Sequence, residues 1–595
     1  MSEFLFKLQQ RSDVRLGVFG LSAIAAVYFG FLGVAVGTAE LVVKSYGYYF
    51  LLAAFALWSA ALWRLWRQKR EVERMHRSEL LLALFTIGML SLVAINAEPF
   101  RSKILYDEFA LQSTAYDMHY FREAVGMVRG YDLYGVFVPV GTYLDKRPNF
   151  YPFLVSLVHD LTGYRSSNAY WLNAALLPIT LGLGYYLGRR LTGPQGGLLI
   201  VLLLGSLPLL GQNATGSSME LLNVAMILSV TALAAAYLRR PCDTRLSALV
   251  LATVLLAQTR YESAIYVVPV ALTIVLGWWR QQSVILSWPT LVAPLLLLPS
   301  ALQNKILSNS PWMWELKDNQ ENRFSFDYLA GNLRGAGQFF FNTSARLANS
   351  WPLTVLGFLG LGFLLWRLVR VRPSLSDSNP DHLALCLLGF GVLANTVLIM
   401  FYYWSSFGDP VASRFSLPFH LVLAFAVVMF ADRLDRVFPA TPFLLGGIAV
   451  FALGIATSHQ AQHLYSHVGI DEIEWEKRYV AGLPTGERLI ISNESSLPWL
   501  MNKIPSILVT RARLMGDCLK YQLDHHAFRE ILVLQSLRPT TADGDHQLVP
   551  EDRLPPGFTL EQVTEKRFGT KIIRVSRLIE VNRPSAETFS GAAIP

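Results

Sequence analysis

Charge is scarce in this sequence. Of its 595 residues only 16% are Asp, Glu, Lys or Arg, and 53% are hydrophobic. Mean hydropathy is +0.36. A soluble chain of this length would divide into several domains and carry more charge. Cysteine is nearly absent: Cys242, Cys386 and Cys518 show no metal-ligand spacing and no CxxC pair. The topology read below puts them in three different environments, so no internal disulfide is expected. No basic stripe with interleaved aromatics is present, which argues against nucleic-acid binding. No internal repeat appears, although transporters usually show matching halves with Gly- or Pro-broken helices. The first apolar run lacks a small-x-small exit and does not read as a cleavable signal peptide.

What the sequence does have is long apolar runs: Leu16 to Val36, Tyr48 to Trp63, Leu80 to Ala94, Ala169 to Leu187 and Gly196 to Leu210 among them. Each approaches the roughly 20 residues that span a hydrocarbon core. The fold class is therefore an all-α polytopic membrane protein, with about thirteen spans. Arg64, Arg67, Lys69, Arg70, Arg74 and Arg77 crowd the loop after the second run, and such clusters mark the cytoplasmic side. The N-terminus is then cytoplasmic, and the loop after the third span, about 98 to 168, lies outside. Arg189-Arg190, Arg239-Arg240, Arg280, Arg367 with Arg370 and Arg372, and Arg433 with Arg436 all end spans arriving inside. Around "AQTRYESA" the run from Leu246 to Trp279 reads as two helices. An odd span count leaves the C-terminus outside, in a multi-pass protein of the cell (cytoplasmic or inner) membrane.

Three regions follow: an N-terminal pair of spans with its basic loop (1–78), a membrane core (79–457), and a C-terminal domain (458–595). In the last, the composition turns polar and short alternating strands appear: "ERLIISN", "PSILVT", "REILVLQSL" and "TKIIRVSRL", with a helix-like "DCLKYQLDHHAF" among them. This reads as a small extracytoplasmic α/β domain with a disordered tail.

Two carboxylates, Asp107 and Glu108, stand where the third span exits, in "SKILYDEFALQSTAYDMHYFREA". Acids there could complement a helix N-terminus or serve as a base. The stretch Phe109 to Arg129 reads as an interfacial helix with Tyr116, Tyr120 and Phe121 at headgroup level. "KRPNFYPFL" then leads into an apolar helix too short to span.

This order of pieces resembles the C-type glycosyltransferases (GT-C), in the branch of protein O-mannosyltransferases and the lipid A aminoarabinose transferase. Those polytopic enzymes take sugar from a polyprenyl-phosphate carrier on the outer face. The resemblance covers most of residues 79 to 457 and continues through "KDNQENRFSFDYLAGNLRGAGQFF" and "ASRFSLPFHLVLAFAVV". Asn149 replaces the second proline of the family's basic-Pro-Pro motif, and about two additional spans precede the usual first one.

The resemblance implies a polyprenyl-phosphate sugar donor, a cell-envelope acceptor and an inverting transfer. Such chemistry needs a base for the acceptor hydroxyl and fixed cations for the departing phosphate. Asp107, assisted by Glu108, is the expected base. Arg147, Arg260, Arg323 and Arg414 are the expected phosphate ligands, because a planar, permanently charged fork suits that anion. The structural alternatives are an Arg260–Glu262 pair, a headgroup anchor at Arg414, and simple solvation of Arg323. The pattern calls for no particular cofactor. A divalent metal near Glu108 stays open, as does zinc at His459, His463 and His467, which share one helix face at i, i+4, i+8. The competing readings are a transporter or flippase for lipid-linked sugar, and a polysaccharide polymerase or ligase of another fold.

Overall fold

The computed structural model describes residues 12–68, 75–133, 136–310, 316, 320–343, 347–371, 378–435, 446, 468–484, 486–539 and 546–582. The three-histidine face and nearly all of the expected last span, 441–457, lie outside the described residues. The chain divides into two compact units. The first comprises Met1–Lys103, Met118–Ala124 and Lys146–Leu464; the second comprises Ile104–Asp117, Val125–Asp145 and Tyr465–Pro595. The loop 98–168 is thus divided between them.

The first unit is helical and built for a bilayer. Among the described residues, nine helices are long and apolar enough to cross a membrane, and up to ten if a bent pair is one span. That pair, Pro194–Gly205 and Pro208–Thr215, bends by 68°, where Pro208 cannot continue the preceding helix. Asn168–Thr192 is a helix of 25 residues, and Asp243–Leu256, with 14 residues, is too short to span alone. In Arg77–Ala97, Ala83, Leu90 and Ala94 point inward while Leu81, Leu84 and Phe85 are exposed. In water such a face would be costly; in lipid it is the solvated one. Helices approach closely at small residues, as membrane packing favours. A Cβ on Gly360 would lie 2.6 Å from the Ala426 carbonyl oxygen of the neighbouring helix.

Several basic helix ends gather around the start of Pro380–Met400. Arg190 and Arg239, each in the last turn of its helix, pair with Asp381 at the start of Pro380–Met400. Arg280 donates to the Ser378 carbonyl at 2.8 Å, and Arg189 Nε meets Glu79 Oε1 at 2.5 Å.

The second unit is built on one mixed sheet. Its strands are β1 (Gly126–Leu133), β2 (Val136–Tyr143), β3 (Arg488–Ser492), β4 (Ser506–Leu508), β5 (Glu530–Pro539), β6 (His546–Leu548), β7 (Phe558–Phe568) and β8 (Lys571–Val581). The order is β2-β1-β4-β3-β5-β8-β7, with β6 paired to β5. β3 runs parallel to β4 and β5, and the other pairings are antiparallel. The central β3 is buried along its whole length and β5 over most of it, so these strands read as continuous apolar runs. All four strands expected from the C-terminal sequence form, and "DCLKYQLDHHAF" supplies the helix Gly516–Asp524.

The expectation of one interfacial helix over Phe109 to Arg129 is corrected. The helix is Leu105–Tyr120, and β1 begins at Gly126. Arg122, at φ 59°, takes a left-handed conformation that ends the helix. Tyr116 is not at headgroup level: it is buried against the Phe137 ring, 6.3 Å away.

Candidate donor site and acidic helix

Arginine recognition of phosphate requires a guanidinium held in place before the ligand arrives. The first unit holds two that way. Its apolar run breaks after Asp243–Leu256, and a 3-10 turn, Tyr261–Tyr266, precedes Val267–Gln281. The break is fastened by Asn223, whose Oδ1 accepts from Thr259 Oγ1 and Ser263 Oγ, each at 2.7 Å. Arg260 sits at the head of this turn. Its Nη1 donates to Glu220 Oε1 at 2.6 Å, its Nε bonds Glu262, and its guanidinium lies 4.7 Å from the Phe415 ring centre. Arg414, in the 3-10 turn Ala412–Ser416, reaches the same Glu220 oxygen at 3.1 Å.

Glu220 begins the helix Glu220–Arg239 and is buried together with both arginines. Sequence reasoning missed it. The signal was there: a lone carboxylate opening an apolar span, where a charge is expensive and function is the default reading. The Arg260–Glu262 pair weighed as the structural alternative also exists. Two arginines against two glutamates leave the cluster neutral, and the two carboxylates engage Arg260 through Nε and Nη1.

Arg260, Tyr261, Glu262, Asn304, Arg323 and Tyr402 line a cavity of about 260 Å³. Arg323 is placed there by backbone pairing, since its carbonyl accepts from Tyr403 N at 3.0 Å and Phe324 bridges Tyr402. A second cavity of about 300 Å³ shares Tyr261 and Asn304 with the first and is otherwise mostly apolar, with Ala23, Phe31, Leu298 and Lys146 in its wall. Arg147 itself is buried, and its carbonyl accepts from Gln303 Nε2 at 3.0 Å. The Phe150 N–H donates to the Gln258 carbonyl at 3.2 Å, tying this loop to the Arg260 break.

No family model matches the sequence, and no curated protein matches it. The chain is similar to solved structures. One is ArnT from Cupriavidus metallidurans bound to undecaprenyl phosphate, at 12% identity and a TM-score of 0.45, covering 84% of this chain and 98% of that one. Another is the Archaeoglobus fulgidus oligosaccharyltransferase in its apo form, at 10% identity and 0.42, covering 76% and 69%. A third is the arabinosyltransferase EmbB from Mycobacterium smegmatis, at 15% identity and 0.32, covering 70% and 44%. Likeness at these TM-scores assigns this chain to no family. Identity this low describes shape and assigns no residue.

Asp107 and Glu108 belong to the second unit, in the first turn of Leu105–Tyr120. Asp107 is half-buried and Glu108 fully buried. Buried polar residues continue along the helix at Gln112, Ser113, Thr114 and Asp117. Ser113 Oγ accepts from the Met127 N–H at 2.8 Å and so fastens the helix to β1. Of the expected site residues, the fold thus brings Arg260 and Arg323 to one cavity and Arg414 to Arg260 through Glu220. The carboxylate pair is on a separate unit.

Three histidines make hydrogen bonds within the protein, although the Nε2 atom of His420 is buried without a partner. His119 bonds Asp160 at 2.6 Å, His159 bonds Asn168 at 2.9 Å, and His420 bonds the Ser416 carbonyl at 3.0 Å. Burial pushes the His159 ring down to about 4, so it is neutral at physiological pH. Among the described residues no three His, Cys, Asp or Glu side chains gather closely enough to hold a metal ion.

Proposed function

We propose that the chain is an integral-membrane glycosyltransferase. It moves a sugar from a polyprenyl-phosphate carrier to an acceptor hydroxyl on a cell-envelope glycolipid, polysaccharide or protein, on the outer face, with inversion. The observation that carries this reading is the pair of adjoining cavities, one presenting Arg260 and Arg323 and the other mostly apolar. A phosphate with a hydrocarbon tail needs both surfaces.

In the transfer, the acceptor oxygen attacks the anomeric carbon as the bond from that carbon to the phosphate oxygen breaks. The proton passes to the Asp107 carboxylate, and Glu108 orients Asp107 or the acceptor. The electron pair leaves with the polyprenyl phosphate, whose growing negative charge the arginines stabilise. Charged groups along apolar spans are expensive, which gives the Arg260–Glu220–Arg414 cluster a reason to be there. The carrier as donor agrees with the resemblance, and the outer-face assignment rests on the positive-inside pattern.

The test is turnover of purified protein in lipid with radiolabelled polyprenyl-phosphate sugar and envelope acceptors, beside the Asp107→Asn variant. Loss of a general base lowers the rate by about 10²–10⁴. A charge lost from a helix first turn costs only about 0.3–1 kcal/mol of stability, so melting and donor binding should survive. Near-normal turnover by Asp107→Asn would remove the base assignment. Carrier movement without sugar transfer would make the protein a flippase.

A further inference from the structure

Tyr106 immediately precedes the carboxylate pair, and its side chain points to a part of the chain nearly four hundred residues away. Its hydroxyl donates to Glu494 Oε2 at 2.6 Å with a sequence separation of 388. Lys571, the first residue of β8, donates to Glu494 Oε1 at 2.6 Å and to Glu472 Oε2 at 2.7 Å. Glu472 and the buried Glu476 are one turn apart on the helix Val468–Gly482. All of these groups belong to the second unit.

A second attachment joins the other end of the acidic segment to the same sheet. Past the helix, β1 pairs with β4 at Gly130 and Ser506. The acidic helix is thus held at its first turn by a chain of charge-assisted bonds, and beyond its last turn by a strand pairing. Hydrogen bonds to charged groups are the stronger kind, and three in series on one tyrosine hydroxyl exceed what a solvated loop residue needs.

We propose that Glu494 and Lys571 form a clamp through which the C-terminal domain positions the Asp107–Glu108 turn. The clamp rests on the reading of that turn as catalytic, and Tyr106, Glu494 and Lys571 are positioning residues that need not touch substrate. It gives the C-terminal domain a part in catalysis: it fixes the angle at which the carboxylate is presented. Glu472 and Glu494 are shifted in opposite directions. Glu472 is pushed up by burial, while Glu494 is held below the usual carboxylate range by Lys571 and Tyr106 despite its burial. Glu494 therefore stays an anion and an acceptor across the physiological range.

Tyr106→Phe removes one hydroxyl from a partly exposed ring and should fold. Lys571→Met breaks the next link, and Lys571→Arg keeps the charge as a rescue. In the full chain in lipid, two quantities are read: hydrogen exchange at the amides of residues 107 to 112, and kcat and donor KM separately. Exchange there should rise by roughly tenfold or more in Tyr106→Phe and Lys571→Met, the size that loss of a bond to a charged acceptor supports. The same variants should lose roughly ten- to a hundredfold in kcat, as misplacement of a reacting group does, with donor KM within about twofold and Lys571→Arg largely restored.

Unchanged exchange in Tyr106→Phe overturns the clamp whatever the activity. Faster exchange with wild-type kcat overturns its positioning role if Asp107→Asn is inactive. If Asp107→Asn is itself active, the same result leaves the clamp standing and refutes the catalytic reading beneath it.

Discussion

Replacing Glu220 by Gln tests whether a buried carboxylate organises the donor site. Its Oε1 serves Arg260 at 2.6 Å and Arg414 at 3.1 Å, with side-chain exposures of 2%, 4% and 5%. Removing one partner of a buried ion pair costs about 3–5 kcal/mol, because a charge stays buried without its counterion. Glu262 still pairs with Arg260, so the larger loss falls on Arg414 and the expected cost lies near the lower end of that range. Melting in lipid nanodiscs should fall by several degrees. Donor KM should rise about tenfold, equivalent to ~1.4 kcal/mol of donor binding. Glu262→Gln should do less, since Glu262 is 12% exposed against 2%. The decisive variant adds Arg414→Met to Glu220→Gln. Removing both charges of a buried pair is often neutral or stabilising, so melting should recover while donor KM stays high. Wild-type melting and donor KM in Glu220→Gln alone would refute the reasoning, because a carboxylate that buries two arginines cannot be neutralised at no cost.

Arg260→Lys keeps the charge but loses the planar fork; donor KM should rise roughly tenfold or more, and an unchanged value would move the phosphate away from Arg260. In the sheet unit, burial and the nearby Glu494 and Glu472 push Glu476 up to about 8. Between its unfolded value and about 8 the folded state binds the proton and the unfolded state does not, so stability falls as pH rises through that window. Calorimetry on Glu476→Gln should show this decline flattened and a higher melting temperature than wild type at pH 8; parallel pH profiles would show that Glu476 is already ionised in the fold. Lys146 lines the apolar cavity beside the arginines, and a released phosphate monoester gains charge above pH ~6 that the diester donor lacks. Lys146→Met should therefore weaken inhibition by polyprenyl phosphate more than it raises donor KM, and equal effects on both would assign Lys146 to neither state in particular.

What could be read from the sequence follows from periodicity and charge. Apolar runs of span length, the arginines that end them and the four C-terminal strands are local patterns, and among the described residues most appear where their pattern lies. The acidic helix was harder because it buries Glu108, Gln112, Ser113, Thr114 and Asp117 alongside Phe109, Leu111 and Tyr116. Polar residues on a buried face erase the amphipathic signal on which helix reading depends. The hairpin β1–β2 was missed for a different reason. It joins strands more than three hundred residues away in sequence through a single bridge, Gly130 to Ser506, and no local pattern announces a pairing that distant. Arg260, Arg323 and Arg414 were visible as charges near apolar runs, but Glu220, the common partner of Arg260 and Arg414, is fixed by packing between helices.

The two units handle buried charge by different means, and the difference bears on function. In the membrane unit, Arg260 and Arg414 are matched by Glu220 and Glu262, so the cluster is neutral without moving a proton. A neutral cluster attracts no anion over distance, yet it holds the Arg260 guanidinium at the cavity wall. The net positive charge there comes from Arg323, one unit against the one unit of a phosphodiester. In the sheet unit, Lys571 faces Glu472, Glu476 and Glu494, a set with more acids than bases. Burial resolves that excess by protonating Glu476 rather than by pairing it. Pairing suits a site that must keep a fixed field while substrates come and go; protonation suits a joint whose only task is to hold Tyr106. The hold on the acidic turn should accordingly weaken as Glu476 ionises.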